Sequence, residues 1–233
     1  MLKQLDASLW VNEVDFNLIG INFGNRMTCI QLEDGSLCLH SPTKFDNSTL
    51  EKLINIGEIK TLICPSLMHN LFIMKWKKKN PNATLFSPSK AKNVSPDVTF
   101  DNSSTKDINQ LFNNELICIP IEGMPMLQEY AFIHKASNTL ILTDLAFNFG
   151  NEMTGWPRFF VRLYGAHNKF SPTITIRALI KDKRAFGKSL ANILSYNFDR
   201  IIVSHGHVIE KDGKKVMLEA FDKYLRNLEI TMT

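Results

Sequence analysis

The sequence predicts a single α/β domain over residues 1–233. Three features indicate this fold class: a strand hairpin early in the chain, an alternation of helix and apolar strand after it, and a second hairpin before residue 150. A chain of 233 residues is long enough to bury a substantial core. Its 44% hydrophobic and 21% charged residues are typical of a globular protein rather than a disordered one.

The first hairpin is predicted in "RMTCIQLEDGSLCLHSP", where Asp34 and Gly35 are expected to supply the positive φ angles of a tight turn. A helix follows, with Asn47 or Ser48 as its cap. The apolar face of this helix is formed by Leu50, Leu53 and Ile54. The chain then enters the apolar strand "KTLIC", so that helix and strand form an α/β unit.

The middle of the chain continues with a turn, "CPSLMHNLF", and a second helix in "MHNLFIMKWKKK". The lysines at its end favour the negative C-terminal end of the helix dipole, which explains them better than a phosphate-binding patch. "NATLFSP" is a short strand, and "VSPDVTFDNSSTKDINQLFNNE" is predicted to be a polar loop before the strand "LICIPIEG".

A second hairpin is predicted in "EYAFIHKASNTLILTDL", with "ASN" as its turn and Asp144 at the carboxyl end of its second strand. Residues 150–171 are expected to form a partly aromatic excursion over the core. Helical spacing follows in residues 173–197, whose first four residues are equally compatible with a strand. The strand "FDRIIV" then leads to His205 and His207, and "KKVMLEAFDKYLRNL" closes the chain as an amphipathic helix.

Composition excludes several classes of protein. A formal charge of +4 is too small to indicate nucleic-acid binding. No segment has the roughly eighteen consecutive apolar residues of a membrane span, and the first residues do not have the pattern of a signal peptide. The cysteines form no C-x-x-C pair, which favours buried free thiols in a reducing cytoplasm; they are Cys29, Cys38, Cys64 and Cys118.

The order of these elements resembles the metallo-β-lactamase superfamily over nearly the whole chain. The motifs that carry the resemblance are "CPSLMHNLF", "IEGMP", "TLILTDLAFNF" and "VSHGH". The resemblance implies an αββα sandwich, in which two mixed β-sheets pack between helices and metals lie at one edge. More narrowly, the same motifs are similar to a branch of the superfamily defined as a domain of unknown function, with degenerate metal-binding motifs.

The metal-binding turn of the superfamily has the pattern H-x-H-x-D-H, and this chain departs from it in either alignment. One register places the last two positions on His69 and Asn70, which leaves Pro65 and Leu67 for the first two. The alternative register places the four positions on Cys64, Ser66, Met68 and His69. In both alignments the turn has lost metal ligands, because Pro, Leu, Ser and Met are poor replacements for imidazole.

Later motifs of the superfamily are partly retained. A histidine in a G-H-T-P-like turn is replaced by Met124, whereas a bridging carboxylate is retained as Asp144 and the last histidine as His205. The resemblance therefore implies one metal site made of His69, Asp144 and His205, with Asp144 also as the catalytic residue. Because each follows an apolar strand, the three are expected to meet at one edge of the sandwich. Further candidate binding residues are Asn70, Cys64 and His207.

Each candidate also has a purely structural explanation. His69 can be a packing or capping residue, and Asp144 can cap "LAFNF" through backbone N–H groups. His207 alternates with His205 along an extended segment, so it is expected to point away from it. His40 and His134 lie in predicted strands without a nearby carboxylate and are interpreted as structural.

Two function classes remain open from the sequence. In the first, the protein is a metallo-β-lactamase-like hydrolase of small esters, thioesters or phosphoesters, with one zinc or iron ion in a single or altered site. In the second, no metal is bound, and the cleft holds a ligand or partner without chemistry. In both classes we expect a small-molecule ligand, no nucleic acid, no membrane and a cytoplasmic location.

Overall fold

Seven strands form the larger of two main β-sheets in the computed structural model, which describes residues 1–100 and 105–229. From one edge to the other they are β1 (Leu2–Asp6), β2 (Leu9–Val14), β5 (Asn25–Gln31), β6 (Leu37–His40), β7 (Ile59–Ile63), β8 (Thr84–Pro88) and β9 (Val98–Phe100). The first four pair antiparallel, and the pairs from β6 to β9 are parallel. The sheet is therefore mixed, as the resemblance implies.

The smaller main sheet has four strands, and it is also mixed. In order they are β10 (Leu116–Pro120), β11 (Tyr130–His134), β12 (Thr139–Ile141) and β15 (Arg200–Ile202). β10, β11 and β12 pair antiparallel, whereas β12 and β15 are parallel. Two short ribbons complete the strands: β3 (Asn17–Leu18) with β4 (Ile21–Asn22), and β13 (Phe147–Phe149) with β14 (Lys169–Ser171).

The helices flank these sheets. They are α1 (Asn47–Ile54), α2 (Ile73–Lys79), α3 (Thr105–Leu111), α4 (Gly155–Leu163), α5 (Ile174–Leu179), α6 (Lys183–Ser195) and α7 (Gly213–Glu229). No helix in the described part of the chain is both long enough and apolar enough to cross a membrane.

Buried apolar side chains form layers that match a sandwich. One cluster joins the two main sheets, with Val11 and Ile30 from the larger sheet and Phe132 and Ile202 from the smaller. A second cluster covers the outer face of the larger sheet with α1 and α2. A third covers the outer face of the smaller sheet with α5, α6 and α7. The predicted αββα arrangement of two sheets between helices is therefore confirmed.

Both predicted hairpins are present, with local corrections. In the turn between β5 and β6 Gly35 has a positive φ of 79°, and Asp34 does not share this conformation. The cap of α1 is Asp46, whose carboxylate accepts a bond from the Thr49 backbone N–H, rather than Asn47 or Ser48. A carboxylate is an equally good cap, and it lies one residue earlier. Ile54 is 58% exposed, so it is not part of the buried helix face.

Three further segments differ from the prediction. α2 begins only at Ile73, which leaves His69 in an irregular loop rather than at the start of a helix. The predicted polar loop contains β9 and α3, although part of it lies outside the described residues. Residues 150–171 contain α4, and the segment from residue 173 divides into α5 and α6, capped by Thr173 and Asp182.

Candidate metal centre

Three side chains from distant parts of the chain converge past the carboxyl ends of strands: His69, Asp144 and His205. Nε2 of His69 lies 3.2 Å from Oδ2 of Asp144, and Nε2 of His205 lies 3.5 Å from Oδ1. Their possible ligand atoms all lie within 4.8 Å of one another. The side chains of all three are at most 10% exposed. The structure thus places together the residues that the sequence predicts to meet.

The parallel pairing of β12 and β15 explains why Asp144 and His205 are neighbours. Ile141 pairs with Ile202 at the ends of these strands. Asp144 lies three residues after Ile141, and His205 lies three residues after Ile202. Residues that lie equally far beyond the carboxyl ends of two paired parallel strands come close together at that edge of the sheet.

Each imidazole is oriented by a hydrogen bond at its other ring nitrogen. Nδ1 of His205 lies 2.6 Å from the backbone oxygen of Gly24, which can only accept, so Nδ1 carries the hydrogen. Nδ1 of His69 lies 2.7 Å from Oγ of Ser41. Both rings therefore direct Nε2 towards Asp144. Such second bonds are the usual means by which a protein orients histidine ligands.

Glu129 holds the turn that carries Asp144. Its carboxylate accepts bonds from the backbone N–H groups of Thr143, at 2.6 Å, and Asp144, at 3.0 Å. Glu129 is buried, and burial together with the negative charge of Asp144 raises its pKa above the usual range. Burial also acts to raise the pKa of Asp144, but the neighbouring imidazoles of His69 and His205 outweigh it and hold that pKa well below the usual range.

Arg26 organises the loop that carries His205. Its guanidinium group donates to the backbone oxygens of Val203 and Gly206, on either side of this loop, and forms a 2.8 Å ion pair with Glu13. Phe147 stacks on the imidazole of His205, with ring centroids 5.2 Å apart and planes 9° apart. The loop is therefore held on two sides. The prediction from the sequence missed Arg26, Ser41, Gly24 and Glu129.

The other candidate residues lie outside this group. The amide of Asn70 donates to the backbone oxygen of Lys92, so it does not face Asp144. The thiol of Cys64 is buried and donates to the backbone oxygens of Ser66 and His69, and burial raises its pKa to about 11. His207 is 62% exposed and pairs with Glu152 at 2.8 Å.

The donor set and its spacing fit a single divalent metal ion. Metal–ligand bonds of about 2.1 Å in tetrahedral geometry place neighbouring ligand atoms about 3.4 Å apart. The two nitrogen–oxygen separations, 3.2 Å to Oδ2 and 3.5 Å to Oδ1 of Asp144, are close to that value, and the possible ligand atoms of all three residues lie within 4.8 Å of one another. Oδ2 of Asp144 is buried and has no hydrogen-bond partner among the described residues, because its 3.2 Å contact with His69 lacks hydrogen-bond geometry. A buried acceptor of this kind needs a cation or a proton donor.

A cavity of about 470 Å³ opens onto the three residues, and His69, Asp144 and His205 form part of its wall. This volume lies within the range of about 300 to 1,000 Å³ that is common for small-molecule sites. The amide of Asn25 also lines the cavity, and its buried Oδ1 has no hydrogen-bond partner among the described residues. The site therefore combines a polar base with room for a ligand.

Two mixed sheets between helices, with a candidate metal site at one edge, are the arrangement of the metallo-β-lactamase fold, and comparisons with solved structures agree. The chain is similar to a metallo-β-lactamase from Pontibacter korlensis, at a TM-score of 0.62 and 11% identity over 95% of this chain and 98% of that one. It is similar to the metallo-β-lactamase DIM-1 exposed to ceftazidime, at 0.65 and 12% over 96% of both chains. FIM-1 from Pseudomonas aeruginosa, in a mono-zinc form, matches at 0.61 and 9% over 96% and 95%.

These identities show the fold alone. The chain itself belongs to the family described as Domain of unknown function (DUF4336), whose model matches residues 6–156. A comparison with curated proteins gives no match. The predicted resemblance to the superfamily, and to a branch of it defined as a domain of unknown function, is confirmed by these findings.

Ser41 allows a test of the hydrogen bond that orients His69. Ser41 has a positive φ of 52°, a conformation that costs energy for any residue except glycine. We expect Ser41→Ala and Ser41→Gly to weaken metal binding equally, by about 10- to 100-fold, because both remove the hydroxyl. The glycine variant should be the more stable by about 1 kcal/mol, because it alone relieves the backbone. Metal titration and urea unfolding measure the two effects. Unchanged metal affinity in both variants would contradict the assigned role of Ser41.

Proposed function

We propose that this protein is a hydrolase that holds one divalent metal ion, zinc or iron, through His69, Asp144 and His205 and cleaves esters or thioesters. The observation that carries the proposal is the convergence of the three side chains at the base of a cavity, with both Nε2 atoms directed at one buried carboxylate. A structural role alone would not require two imidazoles to be oriented through their Nδ1 atoms in this way.

A bound metal would supply a Lewis acid, which polarises a carbonyl group and acidifies water. The chain supplies the orientation. His69 and His205 present Nε2, and one oxygen of Asp144 faces each ring. Oδ2 of Asp144 has no hydrogen-bond partner among the described residues, so it can accept a hydrogen bond from an attacking water and orient that water. Glu129 fixes the turn that carries Asp144 by holding two successive backbone N–H groups.

Asn25 supplies a second polar group to the cavity. No hydrogen bond of its amide is found among the described residues, although it lines the same space as Asp144 and His205. An amide N–H can donate to the carbonyl oxygen of a substrate, where negative charge develops during attack. Gly24, its neighbour, holds His205, so the same turn serves both groups.

The lining also narrows the substrates that the sequence leaves open. No lysine or arginine lines the cavity among the described residues. A phosphoester would bring negative charge for which the proposed metal ion would be the single cationic partner in the described lining, whereas an ester or thioester is neutral at the reacting group and needs no further cation. We therefore favour carboxylic esters and thioesters over phosphoesters.

The alternative function, a protein that binds a ligand without chemistry, is compatible with the same cavity. The two are separated by metal content and turnover. We expect protein purified without chelator to contain about one equivalent of zinc or iron, and to hydrolyse 4-nitrophenyl esters at a rate that falls on chelation and returns when the metal is restored. Two tightly held equivalents would contradict the depleted centre. Metal-free protein with no turnover after reconstitution would favour the alternative.

A further inference from the structure

Aromatic rings dominate the cavity wall beyond the three polar residues. Those that line it are Phe16, Phe23, Phe72, Phe147, Phe149, Phe160 and Tyr164. They come from the β3–β4 region, from the N-terminal end of α2, from β13 and from α4 with its C-cap, so four separate parts of the chain contribute to one apolar surface. Phe23 links them, because its ring lies 6.0 Å from Phe149 and 6.2 Å from Phe160 between centroids. The cavity is thus an apolar pocket formed by several elements that pack together, rather than a gap between loops.

The apolar surface continues from the base of the cavity to its mouth. Four lining side chains are more than half exposed: Leu18 at 55%, Ile19 at 59%, Met68 at 52% and Leu71 at 67%. Exposed apolar side chains that cluster around an opening mark a binding surface more often than isolated ones do. A ligand that reaches from Asp144 to this rim meets apolar groups along its whole length.

The rim includes a strained turn. Ile19 has a φ of 50° and is followed by Gly20 at 74°, in the two-residue turn between β3 and β4. A β-branched residue in the left-handed region is an outlier, and such strain is often kept at ligand-binding positions. Despite this backbone strain, Leu18 and Ile19 are both exposed apolar residues that line the cavity.

Few ionisable groups from the described residues line the cavity, and only those of the candidate metal site lie at its base. Among the described lining residues they are His69, Asp144, His205 and the phenol of Tyr164, and no lysine or arginine is present. A charged group on the distal part of a ligand would therefore find no partner of opposite charge along the wall or at the rim. The part of the ligand that the wall encloses is therefore expected to be uncharged, whereas a group beyond the exposed rim lies in water.

We propose that the substrate of this site is an ester or thioester with an extended, uncharged alkyl or acyl chain, whose reacting carbonyl lies at the base and whose chain runs to the rim. The choice of an ester or thioester as the reacting group rests on the proposed hydrolase function. The selection for an apolar chain rests on the cavity alone, and it is tested separately.

Binding is measured first without turnover, by titration calorimetry of the full chain with methyl alkyl ketones from butanone to decanone. Ketones offer the same carbonyl and cannot be hydrolysed. We expect the affinity to rise by about fourfold for each added methylene until the cavity is filled, because each is transferred from water to an apolar surface. Affinity that is flat or falls with chain length would overturn the proposal.

Leu18→Glu tests the rim. Leu18 is 55% exposed, so the substitution is compatible with folding, and thermal unfolding verifies this. We expect the variant to bind decanone about tenfold more weakly and butanone within about twofold of the wild type, because only the longer chain reaches the rim. The matched control is Leu218→Glu on α7, a leucine of similar exposure, 50%, that does not line the cavity. An equal loss for both ketones, or in both variants, would contradict the proposal.

Turnover of 4-nitrophenyl esters from acetate to decanoate then separates the two proposals. Length-dependent ketone binding without metal-dependent turnover would reject the hydrolase and leave the ligand class standing. Metal-dependent turnover that is fastest for acetate, with no length dependence in ketone binding, would reject the apolar chain and leave the hydrolase standing. Turnover whose kcat/KM rises with chain length in the wild type and in Leu218→Glu, but is about tenfold lower for decanoate in Leu18→Glu with acetate little changed, supports both.

Discussion

The Asp144→Asn variant is expected to lose its metal and at least about a thousandfold in kcat/KM for ester hydrolysis. Asp144 contacts both imidazoles of the centre, through a different oxygen to each. Asparagine keeps the size of the side chain but removes the negative charge and one of the two acceptors. Because loss of a residue that only supports a ligand already costs about 10- to 100-fold, loss of the central ligand itself costs more.

Two histidines of the same loop, His205 and His207, provide a matched comparison for the loss of metal and activity. His205→Gln removes an imidazole that lies 3.5 Å from Asp144, whereas His207→Gln removes one that is 62% exposed and paired with Glu152. We expect the first to behave like Asp144→Asn and the second like the wild type. Elemental analysis and steady-state kinetics measure both properties. An Asp144→Asn protein that retains one equivalent of metal and full activity would remove Asp144 from the centre.

The parts of this centre that the sequence predicts are those that follow directly from strand order. Asp144 and His205 each follow an apolar strand, and the parallel pairing of those strands brings the two residues together. His69 follows β7, whose carboxyl end faces the same edge. In each case a polar residue past the end of an apolar strand is visible in the sequence, and general rules of α/β sheets supply the rest.

The supporting residues could not be predicted, because their partners are backbone atoms far away in the chain. Arg26 donates to the oxygen of Val203, 177 residues later, and His205 bonds to the oxygen of Gly24, 181 residues earlier. A backbone oxygen carries no sequence signal. Glu129 directly precedes an apolar strand, as Glu58 and Glu115 also do, and only the fold shows that Glu129 is buried.

The two possible alignments of the degenerate turn also required the structure. Asn70 and His69 are adjacent in sequence, so spacing cannot decide which of them faces the centre. The amide of Asn70 donates to Lys92, while His69 is directed inwards by Ser41. The alignment that places His69 on the last histidine of the motif is therefore the consistent one, although its first position, Cys64, faces backbone oxygens instead of the other candidate ligands.

The second large effect concerns His40, which the sequence indicates to be structural. His40 is 1% exposed and lies edge-on to Phe132, with ring centroids 5.1 Å apart. Neither of its ring nitrogens has a hydrogen-bond partner among the described residues. Burial, and then the neighbouring charge of His69, lower the pKa of His40 from 6.5 to about 3. The neutral ring is thus the form that the fold accepts.

This shift makes the free energy of unfolding depend on pH. As the pH falls below 6.5, the unfolded chain binds a proton at His40 while the folded protein does not until the pH approaches 3, so stability is lost across this interval. The loss is on the order of 4 to 5 kcal/mol, at about 1.4 kcal/mol for each unit of pKa. His40 therefore imposes no protonation cost on the native state above pH 6.5 and an increasing cost below it.

Replacing His40 with leucine, which has a similar volume and no ionisable group, is expected to flatten the acid side of this stability profile. Urea unfolding at pH 7, 5 and 4 should show the wild type losing stability more steeply than His40→Leu, because the variant removes the proton that the unfolded chain would take up. At pH 7 the variant should be at least as stable as the wild type, since it also removes two buried nitrogens without partners. His207→Leu, at an exposed position, serves as the control and should retain the wild-type slope. If His40→Leu shows that slope as well, His40 does not cause the acid sensitivity.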